Sequence, residues 1–250
     1  MAILKVDTVS GIGTEGTVFE GDITFDSLNY MTLPKGTTTQ SNRGRGVFGG
    51  GRTPTLVKTV QYIEIQSTGT SVDFGDKTDT RYGATAVSST TRGVMAGGHS
   101  SSSSPYPVVN TMDYITIAST GHAKDFGNLA NARRVGNAVC SAVRGVWAGE
   151  YAIDSPYPQS DYMQYINIAS TGNAEDFGDM LNEGWDGSGV MSDSTRGLLV
   201  HGYTPGPTWG YNNTITYITI ATKGNSVDFG DRNINTSGTA KACNSHGGLG

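Results

Sequence analysis

Short stretches in which apolar and β-branched residues dominate recur along most of the chain, separated by turns rich in glycine and serine. In residues 112–118, Met112 and Tyr114 fall on one side of an extended strand, and Ile115 and Ile117 fall on the other. Because both sides are apolar, this strand is expected to be covered on two faces. No window carries a sustained 3.6-residue apolar period, so the pattern predicts an all-β protein without long helices.

The pattern repeats four times, with a period of about 50 residues that is typical of repeat architectures. A tyrosine recurs at intervals of 52, 51 and 52 residues, and an Asp-Phe-Gly triplet keeps the same intervals. The tyrosines are Tyr62, Tyr114, Tyr165 and Tyr217, and the triplets begin at Asp73, Asp125, Asp176 and Asp228.

One repeat predicts four short strands, at residues 84–88, 92–96, 112–118 and 123–127. A four-stranded unit of this length matches one blade of a β-propeller. A glycine pair after the second strand, a Tyr in the third and an aromatic in the fourth resemble the kelch repeat, although the pair is intact only in the first two units. Four such units predict a four-bladed kelch-like β-propeller, and the residues before the repeats add an N-terminal β arm. The predicted blades cover residues 43–80, 81–132, 133–184 and 185–235.

The end of the chain predicts how the propeller closes. Cys243 falls at the repeat position of Ser88, Cys140 and Ser192, which is in the first strand of a unit. Blade one has no convincing first strand before it, so residues 236–250 are expected to complete it and close the ring. The alternative is that residues 37–42 supply that strand and the tail pairs elsewhere.

Composition limits the classes of partner and the cellular compartment that are expected for the protein. The 250 residues carry a net charge of −5 and only 16% charged residues. No clustered positive face is visible, so no nucleic-acid partner is expected. No apolar run reaches 18 residues and no hydrophobic leader follows Met1, so neither membrane insertion nor a signal peptide is expected. Cys140 and Cys243 are expected to be free thiols, as suits a reducing cytoplasm.

Residues 1–42 lie outside the repeats. Gly11, Gly13 and Gly16 match a dinucleotide-binding spacing, but the following residues alternate like a strand instead of opening a helix, which argues against nucleotide binding. The segment has too little apolar mass for a core of its own, so it is expected to dock on another protein or on copies of itself. Its candidate docking residues are Val6, Val18, Phe19, Ile23, Phe25 and Tyr30.

Motifs that invite a catalytic interpretation are explained better by the repeats. A metal-binding Asp-Phe-Gly is needed once in a kinase and occurs here once per unit, so its Phe is expected to fill the core between blades. The arginines that start the second strands, Arg45, Arg92, Arg144 and Arg196, are expected to pair locally with carbonyls or carboxylates, with an axial anion site as the alternative. The four histidines show no metal-ligand spacing. No catalytic residue, metal or cofactor is therefore predicted.

The loops between the second and third strands differ most among the units, at residues 52–58, 99–110, 150–161 and 203–212. Corresponding loops emerge on one face of a propeller, where exposed aromatic residues could hold a sugar or a protein surface. The candidates are Tyr106, Tyr151, Tyr157, Tyr203, Trp209 and Tyr211. The alternative is that these residues only stiffen the loops.

The arm LKVDTVSGIGTEGTVFEGDITFDSLNYMTLPKGTT, followed by RGRGVFGGG and by repeats carrying YITIASTG and DFGD, resembles virion structural proteins of marine tailed phages, especially cyanophages. The resemblance implies a phage particle protein with a propeller head and an N-terminal attachment segment. We interpret it as a non-enzymatic protein of the virion surface, made in the host cytoplasm, and favour a tail fibre or an appendage that contacts the host. It would contact other virion proteins through residues 1–42 and form homo-oligomers on the particle, with a host surface glycan or protein as its further partner. The alternatives are a capsid decoration or head-fibre protein, and a non-viral propeller that binds carbohydrate or protein.

Overall fold

A computed structural model describes residues 44–65, 67–101, 107–151, 159–182, 190–204 and 210–237. These residues contain β-strands, turns and irregular segments and no helix. The expectation of an all-β protein is confirmed. Gln40–Gly250 forms one compact unit, separate from Met1–Thr39. The arm, its six candidate docking residues, residues 37–42 and all but the first two residues of the closing segment 236–250 lie outside the described residues, so these remain predictions.

The strands form four antiparallel sheets in chain order, each a meander in which neighbours in sequence are neighbours in the sheet. Sheet 1 contains β1 (Arg45–Thr53), β2 (Thr55–Glu64) and β3 (Val72–Asp76). Sheet 2 contains β4 (Thr85–Ser88), β5 (Arg92–Ala96), β6 (Thr111–Thr116) and β7 (Lys124–Asn128). The strand positions predicted for this repeat are confirmed to within two residues, and sheet 1 lacks an equivalent of β4 among the described strands.

Sheets 3 and 4 repeat the same order of strands. Sheet 3 contains β8 (Arg134–Cys140), β9 (Arg144–Tyr151), β10 (Gln159–Asn167) and β11 (Glu175–Asp179). Sheet 4 contains β12 (Val190–Ser192), β13 (Arg196–Val200), β16 (Thr214–Thr219) and β17 (Val227–Asp231). The short strands β14 (Tyr203–Thr204) and β15 (Gly210–Tyr211) pair within the loop between β13 and β16.

Two of the predicted loops are shorter than expected. Residues 52–58 belong almost entirely to β1 and β2, which continue as a hairpin through the pair Thr53 and Thr55. In sheet 3, β9 runs to Tyr151 and β10 starts at Gln159, so the ends of the predicted loop 150–161 are paired strand residues. Thr55–Glu64 is rich in Thr, Val, Ile and Tyr, which favour strands, and the ladder extends into what the repeat comparison suggested was a loop.

The hydrophobic core lies between consecutive sheets. Val60 and Phe74 of sheet 1 pack with Met95 and Ile115 of sheet 2. A second cluster joins sheets 2 and 3, and a third joins sheets 3 and 4. Since Met112 belongs to the second cluster and Ile115 to the first, sheet 2 is covered on both faces, as its sequence predicts.

Each Asp-Phe-Gly triplet forms a β-bulge in the last strand of its sheet. In sheet 2, Met112 pairs with Gly127 and Asp113 pairs with Asp125, so Phe126 is the extra residue. Gly127 has a φ of 137°, and a Cβ there would overlap the carbonyl of Gly172 in the next sheet. The bulge therefore requires glycine for its conformation and for the close approach of two backbones.

Phe74, Phe126 and Phe177 are 2% exposed, which confirms that three of the four triplets contribute a phenylalanine to the core between sheets. Phe229, in sheet 4, is 51% exposed. For this residue the prediction is not confirmed, because no described sheet follows sheet 4 to cover it.

Candidate functional site

The predicted aromatic loop face falls only partly on described residues. Tyr151 ends β9 and pairs with Gln159 across the sheet, so it begins the loop instead of lying at its tip. Tyr203 and Tyr211 stand opposite each other in the two-stranded ladder, where Tyr211 is 59% exposed. Tyr106, Tyr157 and Trp209 lie outside the described residues. Ligand binding by this face remains a prediction.

The most regular feature of the described chain is the contact between one sheet and the next, here called the seam. The turn before the last strand of each sheet donates two backbone hydrogen bonds to the last strand of the preceding sheet. Gly121, Gly172 and Gly224 donate to the carbonyls of Phe74, Phe126 and Phe177 at 2.7, 2.8 and 2.8 Å. Ala123, Ala174 and Ser226 donate to Asp76, Asn128 and Asp179 at 2.8, 2.9 and 2.9 Å.

A polar side chain between these two donors accepts a hydrogen bond in return. His122 Nδ1 accepts from the backbone N–H of Asp76 at 3.1 Å. Asn173 Oδ1 and Asn225 Oδ1 accept from Asn128 and Asp179, each at 3.0 Å. The seam thus satisfies the outer edge of each last strand, which would otherwise expose unpaired backbone groups.

An arginine crosses the seam from the other side. The Nη1 atoms of Arg45, Arg92 and Arg144 donate to the carbonyls of Ile117, Ile168 and Ile220 at 2.9, 3.0 and 3.1 Å. Within its own sheet each guanidinium lies over a tyrosine ring, as Arg92 does over Tyr114 at 4.5 Å. These carbonyl partners are of the predicted kind, but they lie in the next sheet instead of being local. Arg45 also pairs within its own sheet with the Glu64 carboxylate at 3.0 Å, so the expected local pairing is confirmed for Arg45.

The arginines are positioned by the tight turn that precedes their strands. Ser89 and Ser141 accept a hydrogen bond on Oγ from the backbone N–H of Arg92 and Arg144, both at 3.1 Å. In sheet 4, Asp193 Oδ1 accepts from Arg196 at 2.6 Å, and the backbone N–H groups of Arg196 and Thr195 lower the pKa of this carboxyl. A short polar side chain that accepts from the backbone fixes the start of each second strand.

A buried group of charges occupies the connection from sheet 1 to sheet 2. Arg81 and Asp113 are both fully buried, and Arg81 Nη2 lies 2.6 Å from Asp113 Oδ2. Arg81 also pairs with Asp79, and Thr78 donates its hydroxyl to Asp113. The Nζ atom of Lys77, whose residue is 3% exposed, donates to the Arg81 carbonyl at 3.0 Å.

Burial dominates the protonation of this charge group. Burial and the neighbouring Arg81 charge lower the pKa of Lys77 to about 8, against the opposing effect of the Asp113 and Asp79 carboxylates. Burial also raises the pKa of Asp113, which the Thr78 hydroxyl and the Arg81 charge partly offset. Perturbed groups of this kind can mark catalytic sites. Here Arg81, Asp113 and Lys77 are buried and hydrogen-bond to their neighbours and to the Arg81 and Met95 carbonyls, although Arg81 Nε has no hydrogen-bond partner. These bonds favour a structural role.

A cavity of about 500 Å³ opens between the turns of sheets 2, 3 and 4. Its lining includes Arg144, Tyr165 and Glu175. Glu175 accepts from the Tyr165 hydroxyl at 2.7 Å and pairs with Lys223 of sheet 4 at 3.1 Å. The hydrogen bond from Tyr165, followed by the contact with Lys223, lowers the pKa of Glu175. These polar groups pair with one another within sheet 3 and across to sheet 4.

Within the described ranges, no group of three or more His, Cys, Asp or Glu side chains is arranged to hold a metal ion. The same part of the chain contains no helix long and apolar enough to cross a membrane. Cys140 is a free thiol. Sequence reasoning missed the charge group, although the repeats carry a signal for it. Lys77 stands where the next two units have Leu129 and Met180, and Asp113 stands where sheet 3 has Gln164.

No protein-family model matches the chain, and a comparison with curated proteins gave no match.

Proposed function

We propose that the chain is a structural protein of a tailed-phage virion, a tail fibre or appendage whose residues 1–42 dock on the particle. The resemblance of the arm and repeats to cyanophage virion proteins motivates the assignment. The observation that carries it best is the seam, which recurs three times with bond lengths that agree within 0.2 Å. A regular scaffold that varies mainly in its loops suits a protein that displays a surface.

The finer fold in this proposal is a four-bladed kelch-like propeller. Four sheets of similar strand order, packed face on face in sequence, support it. In sheet 1, β1 pairs with β2 alone among the described strands, whereas β5, β9 and β13 each have a first strand on their other side. Residues 236–250 are proposed to fill that place.

The loops between the second and third strands are proposed to contact the host surface. They all leave the same end of their sheets because every sheet is a meander with the same strand order. Their aromatic residues would provide large contact areas against a glycan or a protein. The contact residues proposed are Tyr106, Tyr151, Tyr157, Tyr203, Trp209 and Tyr211.

Labelling purified particles with an antibody against this chain tests the location. Label at the tail or its appendages is expected, and label on the head would favour a capsid decoration or head fibre instead. Absence of label from particles, with the chain abundant in infected cells, would overturn the assignment to the virion. A phage whose gene lacks residues 1–42 is expected to lose the label, and retention would contradict the docking role.

Host contact is tested by Tyr157→Ala and Trp209→Ala in the assembled phage. Adsorption to host cells is expected to fall at least tenfold, because a buried aromatic anchor contributes about 2 kcal/mol or more at an interface. Thr171→Ala, an exposed residue at the opposite end of sheet 3, is the matched control. Unchanged adsorption of both aromatic variants would contradict the loop-face proposal.

A further inference from the structure

The series of four sheets ends in two uncovered faces that correspond to the two halves of a seam. On sheet 4, Phe229 is 51% exposed, whereas its three counterparts are 2% exposed. On sheet 1, Ile63 is 39% exposed, whereas its counterparts Ile115, Ile166 and Ile218 are at most 5% exposed. Each apolar face is of the kind that a neighbouring sheet covers elsewhere in the molecule.

The face of sheet 4 is already arranged as in the inner seams. Arg196 lies 4.4 Å from the Tyr217 ring, as Arg144 does from Tyr165. Tyr217 and Phe229 meet edge to face at 6.2 Å, and the inner pairs do so at 5.9 to 6.0 Å. Gly230 keeps the bulge conformation, with a φ of 130°, although the space beyond it is open. This geometry exists before any partner is in place.

The face of sheet 1 offers the matching groups. Residues 62–76 align without a gap to residues 114–128, so Gly69 and Ser71 stand where Gly121 and Ala123 donate in the first seam. The carbonyl of Ile65 stands where that of Ile117 accepts from an arginine. A Cβ on Gly69 would meet no atom within 4 Å, so the approach to this turn is unobstructed.

We propose that sheet 4 docks on sheet 1 of the same chain through a fourth copy of the seam. Gly69 and Ser71 donate to the carbonyls of Phe229 and Asp231, Arg196 donates to the carbonyl of Ile65, and Phe229 packs against Ile63. The three seams inside the molecule thus define which kind of sheet face covers each uncovered face. Pairing within one chain is favoured over pairing between chains because the covalent link raises the effective concentration of the two faces to the millimolar range or above.

This inference rests on the proposed propeller fold and gives its closure a second contact, separate from the strand assigned to residues 236–250. It does not depend on the virion role. A chain absent from virions would still close, and an open chain could still be carried on them. Solution measurements on the purified full chain therefore separate the two proposals.

Cysteine pairs test the seam directly in a full-length background carrying Cys140→Ser and Cys243→Ser. Serine already occupies that repeat position at Ser88 and Ser192. The test pair is Ser71→Cys with Asp231→Cys, and the matched control is Ala123→Cys with Asp76→Cys, whose backbones are joined by a 2.8 Å hydrogen bond. That bond places the control Cα atoms within reach of a disulfide.

The expected result is an intramolecular disulfide that forms in the test pair to the same extent as in the control, with a monomeric chain on light scattering. Disulfide-linked dimers or longer chains would show that a second copy covers the faces and would overturn the proposal. Failure of the test pair to oxidise while the control oxidises would overturn it as well.

A second test introduces no cysteine and compares the Tm of Gly230→Ala with that of Gly178→Ala. Both glycines hold nearly the same φ, but a Cβ on Gly178 would also overlap the backbone of Gly224, whereas none is near Gly230. If sheet 1 covers Gly230, the two substitutions lower Tm equally. A markedly smaller loss for Gly230→Ala, equal to backbone strain alone, would contradict closure.

Discussion

The connections from sheet 1 to sheet 2 and from sheet 2 to sheet 3 follow the same path but differ in the side chains that they bury. The first buries Lys77 and Arg81 against Asp113. The second buries Leu129 at the position of Lys77, Gln164 takes the place of Asp113, and a half-buried arginine, Arg133, keeps the position of Arg81. Gln164 Oε1 accepts from the Ala130 backbone at 2.9 Å, where Asp113 instead accepts from the Thr78 hydroxyl.

The comparison shows that the positions of Lys77 and Asp113 can be filled by charged or by neutral side chains. Buried ion pairs seldom stabilise a fold more than apolar residues of the same shape, but breaking one partner is costly. The connection that contains the buried ion pair is therefore expected to be sensitive to single substitutions and to pH, and the connection without it to neither to the same degree. Four substitutions test this difference.

Asp113→Asn should have the largest effect. The substitution removes the buried carboxylate partner of Arg81 and leaves only the pair with the partly exposed Asp79, and it should lower the free energy of unfolding by about 3–5 kcal/mol. Urea unfolding measures the loss. Asp125→Asn, which changes an exposed carboxylate of the same sheet, is the control and should have little effect. A loss below about 1 kcal/mol for Asp113→Asn would show that the pair is not the dominant contact.

Lys77→Met should remove a pH dependence at alkaline pH. The pKa of Lys77 is about 8 in the folded protein and 10.5 as its ordinary value, so between these values the unfolded chain binds the extra proton. Stability should therefore rise with pH from about 8 to about 10.5, by at most about 3 kcal/mol at about 1.4 kcal/mol per pKa unit. The same position holds Leu129 and Met180 in other units, so Met fits there.

The measurement is the difference between the stability curves of the wild type and Lys77→Met across that pH window. Tyrosine ionisation affects both proteins alike and cancels in the difference. Lys223→Met, at an exposed lysine whose pKa is raised instead of lowered, serves as the control. If the stability of Lys77→Met rises with pH as much as that of the wild type, a group other than Lys77 titrates in this window.

Gln164→Leu should cost about 1–2 kcal/mol, since it removes a buried neutral acceptor from the Ala130 N–H without exposing a charge. Gln61→Leu, at the same repeat position in sheet 1, changes a half-buried amide that accepts from the Ser71 hydroxyl, and should cost less. Chemical denaturation of both variants decides the point. A loss for Gln164→Leu as large as that for Asp113→Asn would remove the contrast between the two connections.

Glu175→Gln should have the smallest effect. Its contact with Lys223 joins sheets 3 and 4 as an ion pair, but both side chains are at least half exposed. Exposed pairs are screened and contribute little, so calorimetry should show a change in Tm below about 1 °C. A shift comparable to that of Gln164→Leu would indicate that the surface pair contributes to the seam as much as a buried hydrogen bond.

The strands were predictable because their apolar pattern and turn residues are local in sequence, as residues 92–96 and 123–127 illustrate. The coverage of both faces of β6 was also predictable, since Met112 and Ile115 are apolar on opposite sides. The partners across the seam were not. Arg92 donates to a carbonyl 76 residues away, and a backbone acceptor leaves no mark in the sequence.

The charge group shows a different limit of prediction from the sequence. Alignment of the units reveals that Lys77 and Asp113 depart from the repeat, but not that they lie near each other, because that depends on how the connecting segment crosses the sheet. The β-bulge at Phe126 was likewise hidden. The glycine after it could be explained as a turn residue, whereas the structure shows that the neighbouring backbone leaves no room for a Cβ.

Of the four bonds that join successive sheets, two run from main chain to main chain, one requires a His or Asn acceptor, and one requires an arginine. A duplicated or exchanged unit would therefore carry its own attachment points, whatever the sequence of its outer loops. Addition or loss of a whole unit during recombination would preserve the way neighbours fit together. The outer loops can therefore diversify without any change to the contacts that join successive sheets.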